Sequence, residues 1–255
     1  MLKILNLIIY SNDYEEYISM YNCLNNFYKI YENCDDVYVK TFFLKNIDME
    51  EEYRLEDNIL YFKGEESLAP GIINKTLSAF EYFQKELDNY DYIVRTNIST
   101  LIDFKMLAQE LINNPIDFYG GGNKQNLQWI GGGIKDSTWF GTNYIEGTGI
   151  ILTPNAVKFI INNINYVKRE LVDDLAIAIF MREHASEKEV QNMRRNGYVY
   201  VPCFFKYSSE IMVIKDKIRE MIKQNKIIFY RNKCCNVRKF DAIQISIIAD
   251  VLKQI

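Results

Sequence analysis

The run Leu2 to Tyr10, LKILNLIIY, is apolar at nearly every position and is interrupted only by Lys3 and Asn6. A strand exposed on one face alternates in polarity, so a run this continuous is expected to be a strand buried on both faces, as in a parallel sheet covered by helices. Ser11-Asn12-Asp13 then offers N-cap side chains to a helix carrying Tyr17, Met20, Leu24, Phe27 and Ile30 at helical spacing. The same alternation continues. Val37 to Leu44 and Ile59 to Phe62 read as strands, with the charged segment Asp48 to Asp57 between them as a loop or short helix. A helix from about Ile72 to Glu86 leads into a strand at Tyr92-Ile93-Val94. Alternating strands and helices imply an α/β fold with a mostly parallel central sheet flanked by helices, Rossmann-like in kind.

The later half reads as a helix from Phe104 to Asn113, a strand at Asp117 to Gly120, a strand at Thr148 to Leu152 and a helix entered through Thr153-Pro154. An apolar helix follows Asp173-Asp174, late strands fall at Val199 to Phe205 and Ile227 to Tyr230, and a closing helix runs from about Asp241 to Ile255. Two glycine triplets, Gly120 to Gly122 and Gly131 to Gly133, bracket a loop containing Trp129, where the backbone is either flexible or closely approached by a ligand. No repeat and no Pro/Gly/Ser-rich linker divides the 255 residues. One domain is expected over 1–255.

A net charge of −4 argues against broad nucleic-acid binding, the local basic clusters near Arg194 and Arg231 aside. The longest apolar runs fall well short of the roughly 20 residues that a membrane span needs, and Leu2 to Tyr10 lacks a small-residue cleavage site. A cytoplasmic protein, of viral or microbial origin, is the expectation. The five cysteines, Cys23, Cys34, Cys203, Cys234 and Cys235, show no zinc-type pairing and suggest a reducing compartment.

Three places carry residues suited to chemistry. Asp173-Asp174 precedes the run LAIAIF, so at least one carboxylate should lie at a helix N-terminus, where the helix dipole favours the ionised form that a general base requires; ordinary capping is the plainer alternative. Arg95-Thr96-Asn97-Ile98-Ser99-Thr100, at the end of a strand, offers a cation, an amide and hydroxyls for phosphate or sugar oxygens, although capping of the next helix would also explain Asn97, Ser99 and Thr100. Glu146-Gly147-Thr148-Gly149 is a turn into a buried strand where glycine serves either backbone geometry or the approach of a sugar. The sole histidine, His184, stands among Arg182, Glu183 and Glu187 on a face expected to be solvated.

In this order the segments Glu66-Ser67, NKTL at 74–77, YDYIVRTNISTLIDFKML, EGTGIILTPNAV and LVDDLAIAIF resemble a GT-A-fold glycosyltransferase, most nearly the β-1,3-galactosyltransferase/Fringe-like group called glycosyltransferase family 31. The resemblance spans about half the chain. It implies a nucleotide-diphosphate sugar donor, a UDP-sugar first among them, bound by the half 1–103, and a glycan acceptor bound by the half 104–255. It implies transfer with inversion, with Asp174, or failing that Asp173, as the base. By the same resemblance Lys75, Arg95, Thr96, Asn97 and Ser99 would bind the donor, and Trp139, Glu146, Gly147 and Gly149 the acceptor. The family's acidic metal-binding motif is replaced by Thr96-Asn97-Ile98-Ser99, leaving Asn97, Asp103 and His184 as weak candidates to hold manganese or magnesium. Lys206 and Arg231 are then expected to supply the positive charge in place of a metal. A catalytically inactive sugar- or nucleotide-binding protein is the rival reading.

Overall fold

The computed structural model describes residues 1–185, 190–193, 197–233, 235 and 237–254; Glu187, Arg194 and Cys234 lie outside the described residues. The chain runs β1 (Leu2–Ile9), α1 (Glu15–Tyr28), β2 (Val37–Ile47), β3 (Tyr53–Glu56), β4 (Ile59–Lys63), α2 (Gly71–Tyr82), β5 (Tyr92–Asn97), β6 (Thr100–Ile102), α3 (Phe104–Asn113) and β7 (Tyr119–Gly121). It continues through β8 (Lys124–Asn126), β9 (Asn143–Ile145), β10 (Ile150–Leu152), α4 (Pro154–Asn162), α5 (Asp173–His184), β11 (Gln191–Asn192), β12 (Tyr198–Tyr200), α6 (Ile211–Gln224), β13 (Phe229–Arg231) and α7 (Arg238–Leu252).

The central eight-stranded sheet has the order β11-β7-β10-β5-β1-β2-β4-β3. Strands β11, β7, β5, β1, β2 and β4 point one way, and β10 and β3 run against them. The sheet is therefore mostly parallel, and helices cover both faces. Successive residues of β1 serve opposite faces. Ile4 and Ile8 pack with Leu24 and Phe27 of α1, Leu107 of α3 and Ile248 of α7. Leu5 and Leu7 pack with Leu77 and Phe80 of α2, Val157 of α4 and Ile179 of α5.

The direction of the connections positions the site. From β1 the chain builds outward through β2 and β4, then returns to place β5 on the other side of β1. The order reverses between β1 and β5, and a crevice opens beyond the carboxyl ends of strands at such a point. A second, three-stranded sheet, β12-β13-β6, folds a late strand onto this corner and sets Arg231 opposite Thr100.

Several expectations change. The segment read as a loop or short helix contains β3, which forms a hairpin with β4 through Asp57 at φ 53° and Asn58. All four residues of β3 are exposed, so no alternation announced it. Ser11 to Asp13 do not cap α1, whose N-cap is Tyr14 without a side-chain bond. Asn97, Ser99 and Thr100 do not cap α3 either: β6 intervenes, and Asp103 caps it by accepting from the Met106 N–H at 3.1 Å. Val199 to Phe205 is strand only to Tyr200, then a 3-10 turn at Phe204–Lys206. Cys203 and Cys235, 32 residues apart, form a disulfide, against the reading of a reducing compartment; neighbouring-cysteine spacing carries no trace of so distant a pair.

Candidate functional site

A cleft of about 490 Å³ opens at the reversal point, lined by Tyr10, Ser11 and Asp13 after β1, and by Asn97, Ile98 and Ser99 after β5. Tyr14 and Tyr17 of the α1 entry form an aromatic wall, with ring centroids 5.4 Å apart and edge to face. Lys75 and Glu66 line another wall. The Lys75 ammonium is buried, 2.6 Å from Glu66 Oε2 and 2.9 Å from the Tyr10 carbonyl oxygen, and burial lowers its pKa against the opposing pull of Glu66.

Arg231, Lys233 and Arg238 close the cleft with positive charge. Arg231 is 7% exposed, donates from Nη1 to Ser99 Oγ, and has a buried Nε without a hydrogen-bond partner. Among the described residues no carboxylate pairs with it. Burial pushes its pKa down, Tyr198 and Tyr200 oppose this, and Arg238 adds to it. The Lys233 ammonium is likewise lowered, first by desolvation and then by Arg231 and Arg238. Arg238 is partly neutralised, 2.5 Å from Asp241 Oδ2. Buried charge without a counter-ion is costly in a protein interior, and an anionic ligand in the cleft would relieve that cost.

The paired acids have distinct surroundings in the first turn of α5. Asp173 is buried, with Oδ2 2.6 Å from Arg95 Nε and accepting from Thr76 Oγ1 at 3.1 Å. Asp174 is only partly buried; its Oδ2 accepts from the Gly147 N–H at 3.0 Å and Oδ1 from the Leu175 N–H at 2.9 Å. Desolvation, then the neighbouring Asp173 charge, raise the Asp174 pKa to about 6. Arg95 also donates to the Gly147 carbonyl, and its charge and that of Asp173 act in opposite senses on the Lys75 ammonium in the cleft wall. Asp174 is not among the cleft-lining residues; its N–H donates to Asp173 Oδ1, and Asp173 pairs with Arg95.

The residues anticipated to bind a donor separate into two groups. Asn97, Ser99, Lys75 and Arg231 line the cleft. Arg95 and Thr96 do not: they are 1% and 0% exposed, held by Asp173 and by the Thr148 carbonyl. Lys206 is exposed in its 3-10 turn, outside the cleft lining. Gly147 and Gly149 answer to packing. A Cβ at Gly147 would strike the Arg95 guanidinium, and one at Gly149 would come within 2.8 Å of the Phe229 ring. The Glu146 carboxylate accepts from Tyr198 and Tyr200 at 3.1 and 3.0 Å. Trp139 lies at the wrong end of α5: its carbonyl accepts from Arg182 at 3.3 Å, eight residues or about 12 Å of helix beyond Asp174, and Lys168 sits over its ring at 4.8 Å.

The metal candidates are dispersed. Asn97 faces the cleft, Asp103 is occupied in capping α3, and His184 packs between Tyr166 and Phe180 in the last turn of α5. Among the described residues no three acidic, histidine or cysteine side chains converge. A hard divalent ion prefers several oxygen ligands, commonly including a carboxylate, and these residues do not fit that need. Sequence reasoning missed the tyrosine wall, Ser11, Asp13, Glu66 and Arg238 as cleft residues; the one available signal was their position just after the apolar strands or inside a basic stretch.

No family model matches the chain, and no curated protein does. Solved structures do. Glycosyltransferases are among them. One is involved in glycosylation of the major capsid of PBCV-1, with a TM-score of 0.48 and 9% identity over 95% of this chain and 98% of that one. The galactosyltransferase LgtC with donor and acceptor sugar analogues has a TM-score of 0.46 and 7% identity over 98% and 95%. Mouse xyloside xylosyltransferase 1 has a TM-score of 0.45 and 8% identity over 92% and 99%. In the described residues no helix is long and apolar enough to cross a membrane.

Proposed function

We propose that the chain is a glycosyltransferase of GT-A type, a single catalytic domain akin to family 31, that transfers a sugar from a nucleotide-diphosphate donor, a UDP-sugar first among them, to a glycan hydroxyl. The observations that carry this reading are the cleft at the β1/β5 reversal, which holds a buried guanidinium with no carboxylate partner among the described residues, and Asp174, a carboxylate of raised pKa at the start of α5 that contacts the Gly147 turn after β9. The nucleoside lies against Tyr14 and Tyr17, and the diphosphate faces Arg231, Lys233 and the Ser99 hydroxyl. Arg95 and Asp173 hold the base and the Gly147 turn in place.

In the reaction, Asp174 accepts the proton of the acceptor hydroxyl while that oxygen bonds to the anomeric carbon. The bond to the diphosphate breaks on the opposite side, its electron pair leaving with the nucleotide and the sugar inverting. An alcohol is a weak nucleophile until its proton is taken, and a base with a pKa near working pH is well matched to that step. The developing charge on the leaving diphosphate meets preorganised donors. Because the metal candidates do not converge, the cations serve the leaving group directly, and transfer should persist in EDTA.

The test is nucleotide release across UDP-, GDP- and TDP-sugars, in EDTA or with manganese, for the wild type and Asp174→Asn. Donor-specific release lost in the variant supports transfer; stabilisation by a donor with no release under any condition marks a binding protein instead.

A further inference from the structure

The loop between the glycine triplets remains outside the donor cleft, and its geometry is specific. Trp129 and Ile130 are 42% and 65% exposed, side by side. Gly131 and Gly132 adopt φ of 138° and 58°, conformations that favour glycine. They also approach the benzo edge of the indole closely: a Cβ at Gly131 would stand 3.1 Å from ring atom Cζ3, and one at Gly132 3.4 Å from Cη2. The glycines thus leave room for the indole edge to rest against the backbone while Trp129 as a whole stays exposed.

The loop is tied to the base. The Val172 N–H donates to the Gly132 carbonyl at 3.0 Å, two residues before Asp174. The indole Nε1 donates to the Tyr144 hydroxyl at 3.4 Å, and Tyr144 is near enough to Asp174 for that carboxylate to raise its pKa, after the larger effect of burial. Tyr144 in turn is held by β9, which pairs with β8 and leads into the Glu146–Gly147 turn that contacts Asp174. A short chain of contacts therefore runs from Trp129 to the carboxylate.

We propose that Trp129, flanked by Ile130, is the acceptor subsite, on which a pyranose ring stacks so that one of its hydroxyls meets Asp174. The C–H-rich face of a pyranose is apolar and slightly positive, and it complements the negative π face of an indole. Hydroxyls at the ring's edge stay free for the base. Trp139 instead has Lys168 over its ring and lies toward the far end of α5 from Asp174. This assignment rests on the transfer reading and adds to it the residue that selects a carbohydrate acceptor.

The experiment compares wild type, Trp129→Ala and Trp129→Phe for nucleotide release with and without a panel of methyl pyranosides and disaccharide methyl glycosides, alongside tryptophan emission during glycoside titration. Expected is a saturable emission change in the wild type that is absent in Trp129→Phe. The KM for the stimulating glycoside should rise about tenfold in Trp129→Ala and far less in Trp129→Phe. An equal KM in Trp129→Ala, an emission change that survives Trp129→Phe, or a panel that alters neither emission nor release overturns the assignment. Emission that responds through Trp129 while no donor is ever consumed leaves the sugar subsite standing and removes the transfer reading.

Discussion

At the scale of single residues, the account turns on two adjacent aspartates given different tasks by their neighbours. Asp173 is locked to Arg95 inside the protein, so removing one partner leaves an uncompensated buried charge. Arg95→Met should cost about 3–5 kcal/mol in urea unfolding, and the double variant with Asp173→Asn should cost less than the sum of the single changes. Asp174 keeps a route to solvent and a pKa of about 6, against about 3.9 for an unfolded aspartate. The folded state therefore holds this proton more tightly, so the associated stability is fully present below about pH 4 and is lost as pH rises through 6. Asp174→Asn has no such loss and should melt no lower than wild type at pH 8, while kcat falls about 10²–10⁴-fold. For the wild type, kcat/KM should climb through pH 6 and level above it; a flat profile would separate Asp174 from proton transfer. The sequence showed this pair and its place at a helix start, but the division of roles comes from Arg95 and Thr76, far away along the chain and invisible to local pattern.

At the scale of elements, β13 delivers the cation that the proposed reaction assigns to the diphosphate. Pairing with β6 sets Arg231 beside Ser99 and Thr100, over a sequence separation that no periodicity spans. Arg231→Ala should weaken donor binding about 10–100-fold, measured by calorimetry with a nucleoside diphosphate, and Arg231→Lys should restore part of it. The segment following β13 is held by the Cys203–Cys235 disulfide and by Asp241, which accepts from the Cys235 N–H at 3.2 Å and pairs with Arg238. Closing a 32-residue separation stabilises by about 3–4 kcal/mol on the chain-entropy view. Cys203→Ser should therefore lower the melting temperature and, by loosening the chain that carries Lys233 and Arg238, raise the nucleoside-diphosphate Kd. Elements with strong apolar patterns, β1, β5, α3 and α4, were legible in the sequence. The polar hairpin strand β3 was not, and neither was α6, which buries only Ile214 and Ile218 and so presents a thin apolar stripe.

At the scale of the whole molecule, the order of strands decides where function can reside. A reversal between β1 and β5 creates the crevice, the antiparallel β10 brings the Glu146–Gly149 turn to the same edge, and α5 begins there with its acids. The parallel α/β architecture could be read from alternating patterns, and the cluster after β5 marked one side of the crevice. The other sides come from α1, α2 and the stretch after β13, whose convergence is a property of topology. The same topology leaves the metal candidates apart, so positive side chains are the account's source of leaving-group stabilisation. The most direct measurement is release of nucleotide from a panel of nucleotide-diphosphate sugars in excess EDTA, with wild type beside Asp174→Asn. The account predicts turnover of one donor by the wild type, undiminished by EDTA and lost in the variant; release that requires manganese, or that continues unchanged in Asp174→Asn, would contradict it.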